Sequence, residues 1–219
     1  MILPSSFRDP SGFLFFREGT LYRQINGGFK DHYTQFISSG LYERLRSNQL
    51  LIPHEEVDIP PEDPATAYKI IKPLRIPFVS YPYEWSFSQL KHAALLTLEI
   101  QKISLEYGMI LKDASAYNVQ FFKGKPVFID TLSFEVYEAG RPWTGYRQFC
   151  QHFLAPLALM HYTDIRLGQM LRTSIDGIPL GLASSLLPKK TYLNFGILMH
   201  IHLHAHSEKK YAGVHAPAR

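Results

Sequence analysis

The sequence predicts an α+β domain in which β-hairpins come first and helices dominate the second half. Two β-prone hairpins are indicated at residues 13–25 and 119–129, each with a tight turn that contains glycine. Apolar residues recur at helical spacing over 86–107 and again from about residue 146. Hydrophobic residues make up 46% of the 219 residues, so the chain can bury a sizeable core.

The charge and composition of the chain limit the kinds of ligand and partner that we expect. The formal net charge of +4 is spread along the chain, which favours an anionic ligand such as a nucleotide over a nucleic acid. No apolar run reaches the ~18–20 residues of a membrane span, and the first residues do not resemble a signal peptide. The single cysteine, Cys150, excludes an intramolecular disulfide and is predicted to be a small core residue. We therefore expect a cytoplasmic protein with no membrane partner.

A hairpin and a helix are predicted at the start of the chain. Residues 13–16 and 21–25 are the two strands, and the connection between them includes Gly19. Residues 30–48 have apolar side chains at i, i+4 spacing and are predicted to be helical, with Gly40 as a kink or break. The buried face of this helix is predicted to comprise Tyr33, Ile37, Leu41 and Leu45.

Loop and strand are predicted from residue 53 to residue 85. The acidic segment 53–66 holds four prolines, which predicts an irregular loop. Strands are predicted at 67–71 and 76–80, around a turn at Lys72-Pro73. The connector 81–85 carries three aromatic side chains, which suit either core packing or a nucleotide or interface contact. They are Tyr81, Tyr83 and Trp85.

A long helix is predicted over 86–107. Ser86 and Gln89 have the spacing of a capping box, in which a hydroxyl and an amide satisfy each other's backbone N–H groups. Gly108 is predicted to end the helix as its C′ residue. Further helices are predicted at 146–162, 164–172 and 193–206, and the tail 207–219 is expected to fray. The apolar stripe of the long helix is Ala93, Leu96, Ile100, Ile103 and Tyr107.

The segment 111–130 carries the most informative polar residues. Asp113 is followed five residues later by Asn118, and Asp130 comes directly after the hairpin 119–129. Phosphoryl transfer needs oxygen ligands for a divalent cation and a carboxylate near the acceptor hydroxyl. Either loop residue alone could simply stabilise a turn. The spacing and the hairpin, which returns Asp130 towards Asn118, favour a metal-and-phosphate site.

This pattern resembles the catalytic and metal-binding loops of the protein-kinase-like superfamily, especially the aminoglycoside and choline kinase type. Asp113-Ala-Ser-Ala-Tyr-Asn118 has the family's Asp-x-x-x-x-Asn spacing, and Asp130 stands where the family has its metal-binding Asp. The resemblance implies that Asp113 is the catalytic base or orients the acceptor. It also implies that Asn118 and Asp130 hold Mg²⁺ and that ATP is the phosphoryl donor.

The resemblance also implies the domain organisation. Residues 1–85 would be a reduced small lobe and hinge, and 86–206 a helical large lobe with the catalytic loop. The residue that pairs the phosphates would be Arg23, with Glu43 as its ion-pair partner, or alternatively Lys69. The chain departs from the family in lacking a G-x-G-x-x-G loop and in having Leu111 where the family usually has His.

A second resemblance covers the whole sequence. Phrases such as SYPYEWSFSQLK, LKDASAYN and FIDTLSFE resemble the N-terminal region of bacterial proteins of the class I SAM-dependent methyltransferase type, some related to nodulation proteins. In those proteins the methyltransferase domain follows. This chain has no glycine-rich strand–turn–helix for SAM, so we do not expect it to methylate by itself.

Two functions follow as expectations. The first is Mg-ATP-dependent phosphotransfer to the hydroxyl of a small-molecule acceptor. The second is a non-catalytic, pseudokinase-like module that partners a SAM-dependent methyltransferase, as the missing glycine-rich loop suggests.

Two further motifs are interpreted as structural features. Residues 181–185 (GLASS) have no obvious partner base and are predicted to be a turn. The alternating histidines near the C-terminus could bind a metal, although packed or surface helix histidines fit better because no cysteine is near. They are His200, His202, His204 and His206.

Overall fold

The structure, a computed structural model, describes the backbone of residues 9–211 and side chains up to Glu208. It mixes helices and antiparallel strands, which confirms the α+β class. The chain divides into two units that we describe separately. Unit 1 comprises the described residues up to 79 together with 96–113 and 119–143, and unit 2 comprises 80–95, 114–118 and the described residues from 144. The units interleave along the chain, and the assignment of residues 1–85 and 86–206 to kinase-like lobes stays a prediction.

A four-stranded antiparallel sheet forms the first part of unit 1. Its strands are β1 (Gly12–Arg17), β2 (Thr20–Asn26), β3 (His54–Val57) and β4 (Ala67–Pro73), in the order β1-β2-β4-β3. The predicted first hairpin is confirmed. Its turn consists of Glu18 and Gly19, both with positive φ (51° and 75°), as a tight two-residue hairpin turn requires.

Three predictions in this region are wrong. The segment 53–66 is not wholly irregular, because β3 occupies its first residues and pairs with β4. The expected turn at Lys72-Pro73 does not form, because both residues lie inside β4, with Pro73 at its end, opposite His54. Residues 76–80 are not a strand, and Phe78 there is 75% exposed.

The predicted helix over 30–48 forms as two helices, α1 (Lys30–Ser38) and α2 (Leu41–Ser47). Gly40 separates them with a φ of 86°, a conformation that favours glycine. One core assignment is wrong, since Ile37 is 37% exposed whereas Phe36 is buried. The ring of Phe36 stacks on that of Phe134 with 4.6 Å between the centroids.

Helix α3 (Phe87–Glu106) has the predicted caps. The backbone N–H of Gln89 donates to Ser86 Oγ at 3.3 Å, and the backbone N–H of Ser86 donates to Gln89 Oε1 at 2.9 Å. Gly108 ends the helix with a φ of 70°, and its N–H donates to the Leu105 carbonyl at 3.1 Å. The predicted stripe is buried except for Tyr107, which is half-buried.

Four short strands complete unit 1. They are β5 (Met109–Leu111), β6 (Val119–Phe122), β7 (Lys125–Phe128) and β8 (Phe134–Val136). The pair β6–β7 is the predicted second hairpin, whose turn residues Lys123 and Gly124 both have positive φ (51° and 78°). The pairing of β5 with β8 was not predicted, because three apolar residues are too few to show a strand period.

Unit 2 is helical beyond residue 144. The predicted helix 146–162 is continuous and consists of α4 (Tyr146–Phe149), a π-helical segment and α5 (Ala155–Tyr162). Pro156, which lacks an amide N–H, lies just after the π-helical residues. The remaining elements are a 3-10 helix (Ile165–Arg172), α6 (Leu180–Leu186), a 3-10 helix (Lys189–Leu193), α7 (Phe195–Ile197), a second π-helical segment (Leu198–Leu203) and α8 (His204–Tyr211).

Several expectations for unit 2 can be compared with this fold. Residues 181–185 lie in α6, so the prediction of a turn there is wrong. The helix predicted at 193–206 begins at Phe195 and continues to Tyr211, so the tail is helical as far as that residue, and 212–219 lie outside the described residues. Cys150 is 1% exposed, which confirms it as a core residue. Among the described residues, no helix has the length and apolarity that crossing a bilayer would take.

Candidate functional site

The predicted phosphate-binding Arg23 and the predicted metal ligand Asp130 are joined by an ion pair in unit 1. Strand β2 places Arg23 between Leu14 of β1 and Ile71 of β4. Asp130 lies two residues after β7. The Arg23 Nη1 donates to Asp130 Oδ1, and Nη2 donates to Asp9 Oδ2 at 3.5 Å. The side chains of Arg23 and Asp130 are only 11% and 17% exposed, so the pair is largely shielded from water.

Asp130 also caps the short 3-10 turn that follows it. Its Oδ1 accepts from the Leu132 N–H at 3.3 Å, and its Oδ2 accepts from the Ser133 hydroxyl. Burial raises the pKa of Asp130, but the Arg23 charge and these two hydrogen bonds lower it more. The net pKa lies below the ordinary value, so Asp130 is an anion at neutral pH.

An apolar cavity of about 360 Å³ adjoins this pair within unit 1. Arg23 and Gln120 are buried polar residues in its wall, and Ile129 and Thr131 flank Asp130. The Nε of Arg23 is buried and has no hydrogen-bond partner among the described residues. An apolar pocket with one buried guanidinium suits a ligand that has a flat apolar part and an anionic part. The apolar wall comprises Leu14, Phe16, Leu21, Ile52, Ile71, Pro73, Leu74, Ile76, Pro77 and Val79.

The residues just before Asp113 are hydrogen-bonded to the segment that follows Asp130. Leu111 of β5 pairs with Phe134 of β8, and the Lys112 N–H donates to the Ser133 carbonyl at 2.8 Å. The chain just before Asp113 therefore runs beside the chain just after Asp130. Asp113 itself is half-buried. Its predicted role as base or acceptor-orienting group stays a prediction.

Asn118 belongs to unit 2, where it ends the 3-10 turn Ala116–Asn118. Its N–H donates to the Ser115 carbonyl at 3.1 Å. Its predicted role as a metal ligand stays a prediction. In the described part of the chain there is no group of three or more His, Cys, Asp and Glu side chains that could hold a metal. The predicted metal ligands are one amide, Asn118, and one carboxylate, Asp130, and Mg²⁺ commonly completes such a set with phosphate oxygens and water.

Glu43 and Lys69 lie in other ion pairs. Glu43 pairs with Arg46 at 2.8 Å, with its side chain 61% exposed. The ion pair expected between Arg23 and Glu43 therefore does not form, because Arg23 bonds Asp130 and Asp9. Lys69 Nζ donates to Glu56 Oε2 at 2.8 Å and is 43% exposed. The cofactor-binding roles of Glu43 and Lys69 stay predictions.

A partly buried hydrogen-bond chain in unit 1 was not foreseen. The Tyr33 hydroxyl donates to Glu56 Oε1 at 3.1 Å, so its oxygen accepts from His54 Nε2, also at 3.1 Å. This fixes the tautomer of His54 and leaves its Nδ1 buried without a partner among the described residues. Burial is the main cause that lowers the pKa of His54 to about 4. No pattern of spacing pointed to this chain, because Tyr33 lies on α1 and its two partners lie on β3, more than twenty positions later.

Three of the four C-terminal histidines pack against or hydrogen-bond to neighbouring side chains, and His206 is exposed. His202 is 4% exposed and lies between Ser184, whose Oγ is 2.7 Å from Nδ1, and Thr191, whose Oγ1 is 2.9 Å from Nε2. His200 Nδ1 is 2.6 Å from the Tyr146 hydroxyl, and the ring of His204 stacks on Tyr146. This arrangement supports the packed-helix interpretation over a metal site.

The aromatic connector has mixed roles within unit 2. Trp85 is 6% exposed, and its Nε1 donates to Ser80 Oγ at 2.9 Å, so it is a core residue. Tyr81 is 44% exposed and stacks on Tyr83 with 5.4 Å between the ring centroids. Core packing is therefore confirmed for Trp85, and a nucleotide or interface contact by Tyr81 and Tyr83 stays a prediction.

Comparison with known proteins gives one informative relative. No family model matches the sequence. The chain is 37% identical over 207 residues to the nodulation protein NoeA of Rhizobium meliloti (strain 1021). The match covers 91% of this chain but 42% of NoeA, so the chain spans less than half the length of that relative. The expected relationship to a bacterial nodulation protein is thereby confirmed, and it extends over nearly the whole chain.

Proposed function

We propose that this chain is a kinase-like domain that binds Mg-ATP and transfers its terminal phosphoryl group to the hydroxyl of a small molecule, in the bacterial cytoplasm. The observation that carries the proposal is the buried Arg23–Asp130 pair beside an apolar cavity of about 360 Å³. The cavity provides space for an apolar ring, and the pair provides a cation and an anion at one position beside it.

Each charged residue has a distinct role in this proposal. Arg23 neutralises phosphate oxygens, for which its planar, permanently charged guanidinium is suited. Asp130 would hold Mg²⁺ in place of its bond to Arg23, and the ion would supply charge neutralisation at the phosphates. Asp113 orients the acceptor hydroxyl and accepts its proton, and Asn118 is the second metal ligand.

The order of elements supports a kinase-like arrangement. A hairpin, a helix pair and two further strands precede the capped helix α3, and the loop with Asp113, the hairpin β6–β7 and Asp130 follow it. Arg23 lies on the strand directly before the helix pair, as the kinase-like resemblance requires of the phosphate-pairing residue.

Isothermal titration of Mg-ATP into the wild type and Asp130→Asn tests this proposal. The amide keeps the shape of the side chain and removes its charge. We expect binding by the wild type and at least about a tenfold loss of affinity in the variant, or about 1.4 kcal/mol. Asp58→Asn, which changes an exposed carboxylate, is the matched control and should bind like the wild type. Equal heats for the wild type and Asp130→Asn, or no heat from either, would reject the proposal.

A second function is favoured by a different observation. The carboxylate oxygens of Asp130 accept hydrogen bonds from Arg23, Ser133 and Leu132. These bonds favour a purely structural role for Asp130, in which it stabilises unit 1 and binds no metal. The chain would then be a non-catalytic, pseudokinase-like module of a larger protein, or a partner of a SAM-dependent methyltransferase. A protein that binds ATP but releases no γ-phosphate with any acceptor, and that captures a purified methyltransferase partner, would favour this function. Absence of SAM binding by this chain would exclude methylation by the chain itself.

A further inference from the structure

A group of large apolar side chains is exposed on unit 2. We call it the apolar face and define it as Tyr192, Leu193, Phe195, Met199 and Leu203, which are 50%, 91%, 76%, 41% and 45% exposed. The last three are four residues apart on the continuous helix that starts at Phe195, so they share one side of it. Single exposed apolar residues are ordinary on a protein surface, but a group of this kind marks an interaction site.

The backbone under the apolar face is held firmly in place. The Asn194 Oδ1 accepts from the Ile197 N–H at 3.1 Å, and its Nδ2 donates to the Tyr162 hydroxyl at 3.3 Å. The ring of Tyr192 stacks on that of His202 with 3.8 Å between the centroids. Leu193 and Phe195 therefore project from a capped, packed turn, and ordering them would cost little on binding.

The edge of the apolar face is basic. Lys189 and Lys190 are exposed, and neither forms an ion pair with a described side chain. A partner surface with an apolar centre and carboxylates at its edge would complement it. A symmetric contact between two copies would place the lysines of both copies in one interface, and this accumulation of like charge disfavours a homodimer through this face.

We propose that the apolar face docks against the rest of a NoeA-like polypeptide, the part that this chain does not match. The length of the relative supports this occupant, because the chain covers 42% of NoeA and more than half of that protein lies outside the match. The proposal does not depend on nucleotide binding or phosphotransfer, since no residue of the apolar face belongs to the cavity or the Arg23–Asp130 pair.

Hydroxyl-radical labelling read by mass spectrometry tests the proposal in whole proteins. The chain alone is compared with a chimera in which it replaces the matched segment of full-length NoeA. Phe78 of unit 1 is the internal control, because it is 75% exposed and thus matches Phe195 at 76%. We expect labelling of Phe195 and Met199 to fall several-fold in the chimera while labelling of Phe78 stays the same.

Three results would overturn the proposal. Equal labelling of Phe195 in both proteins would show that nothing covers the face. Equal protection of Phe78 and Phe195 would show a general effect of the chimera. Protection in the chain alone that increases with its concentration would assign the face to a second copy. A chimera with Leu193→Ser and Phe195→Ser, both at exposed positions, should regain labelling at Met199 while its circular dichroism is unchanged.

Discussion

Removing Arg23 should destabilise unit 1 strongly, because Asp130 would be left as a buried anion without its cation. The two side chains are 11% and 17% exposed, so solvent compensates little for the missing charge. Breaking a buried pair from one side costs about 3–5 kcal/mol. We expect a loss of this size for Arg23→Met in urea unfolding followed by circular dichroism. Asp130→Asn in the same background should restore part of it, since the amide removes the uncompensated charge.

An exposed ion pair provides the control for this double-mutant cycle. Arg46 Nη2 lies 2.8 Å from Glu43 Oε1, but the side chains of Arg46 and Glu43 are 47% and 61% exposed. Solvent and salt screen such a pair, so Arg46→Met and Glu43→Gln should give a much smaller coupling energy. If Arg23→Met and Asp130→Asn are additive to within about 0.5 kcal/mol, the two groups do not interact as described, and the reasoning is refuted.

Three further predictions concern burial. His54 has a folded pKa of about 4 against ~6.5 when unfolded, so protonation of the unfolded state lowers stability as pH falls through this window. Between pH 7 and pH 5 the protonation of His54 should lower the free energy of unfolding by about 2 kcal/mol. The His54→Gln variant should lack this decrease when urea unfolding is measured at the two pH values. The same pH profile in the variant and the wild type would contradict the prediction. A Cβ at Gly12 would lie 2.1 Å from the Gln24 carbonyl oxygen, so Gly12→Ala should lower the melting temperature far more than Gly19→Ala, where the space is open; equal losses would contradict this. Cys150 is 1% exposed and burial raises its pKa to about 11, so a thiol reagent should label it only after urea unfolding; rapid labelling of the native protein would contradict this.

Local chemistry explains which parts of the fold could be predicted from the sequence. Glu18-Gly19 and Lys123-Gly124 both form two-residue hairpin turns with positive φ, a conformation that depends on the residues in the turn itself. Ser86 and Gln89 complete their capping box within one helical turn. Such features need no information from distant parts of the chain, and all of them were predicted correctly.

Features set by distant partners were harder to predict. The sequence of residues 76–80 predicts a strand, but no strand in the described part of the chain pairs with them. Strand β5 exists because β8, more than twenty residues later, pairs with it. The bond between Arg23 and Asp130 joins residues 107 positions apart. The sequence therefore identified both residues as candidates for the site but did not predict that they pair with each other. The local sequence predicted a site, but which charged side chains pair depends on tertiary packing.

The central claim is that Asp130 can leave Arg23 and hold the magnesium ion of a nucleotide. Calorimetry of ATP binding with Mg²⁺ and with EDTA, in the wild type and in Asp130→Asn, tests it most directly. The account predicts that Mg²⁺ strengthens wild-type binding at least about tenfold and that the variant loses this difference while remaining folded. Equal wild-type affinity with and without Mg²⁺, or an equal gain from Mg²⁺ in both proteins, would contradict it.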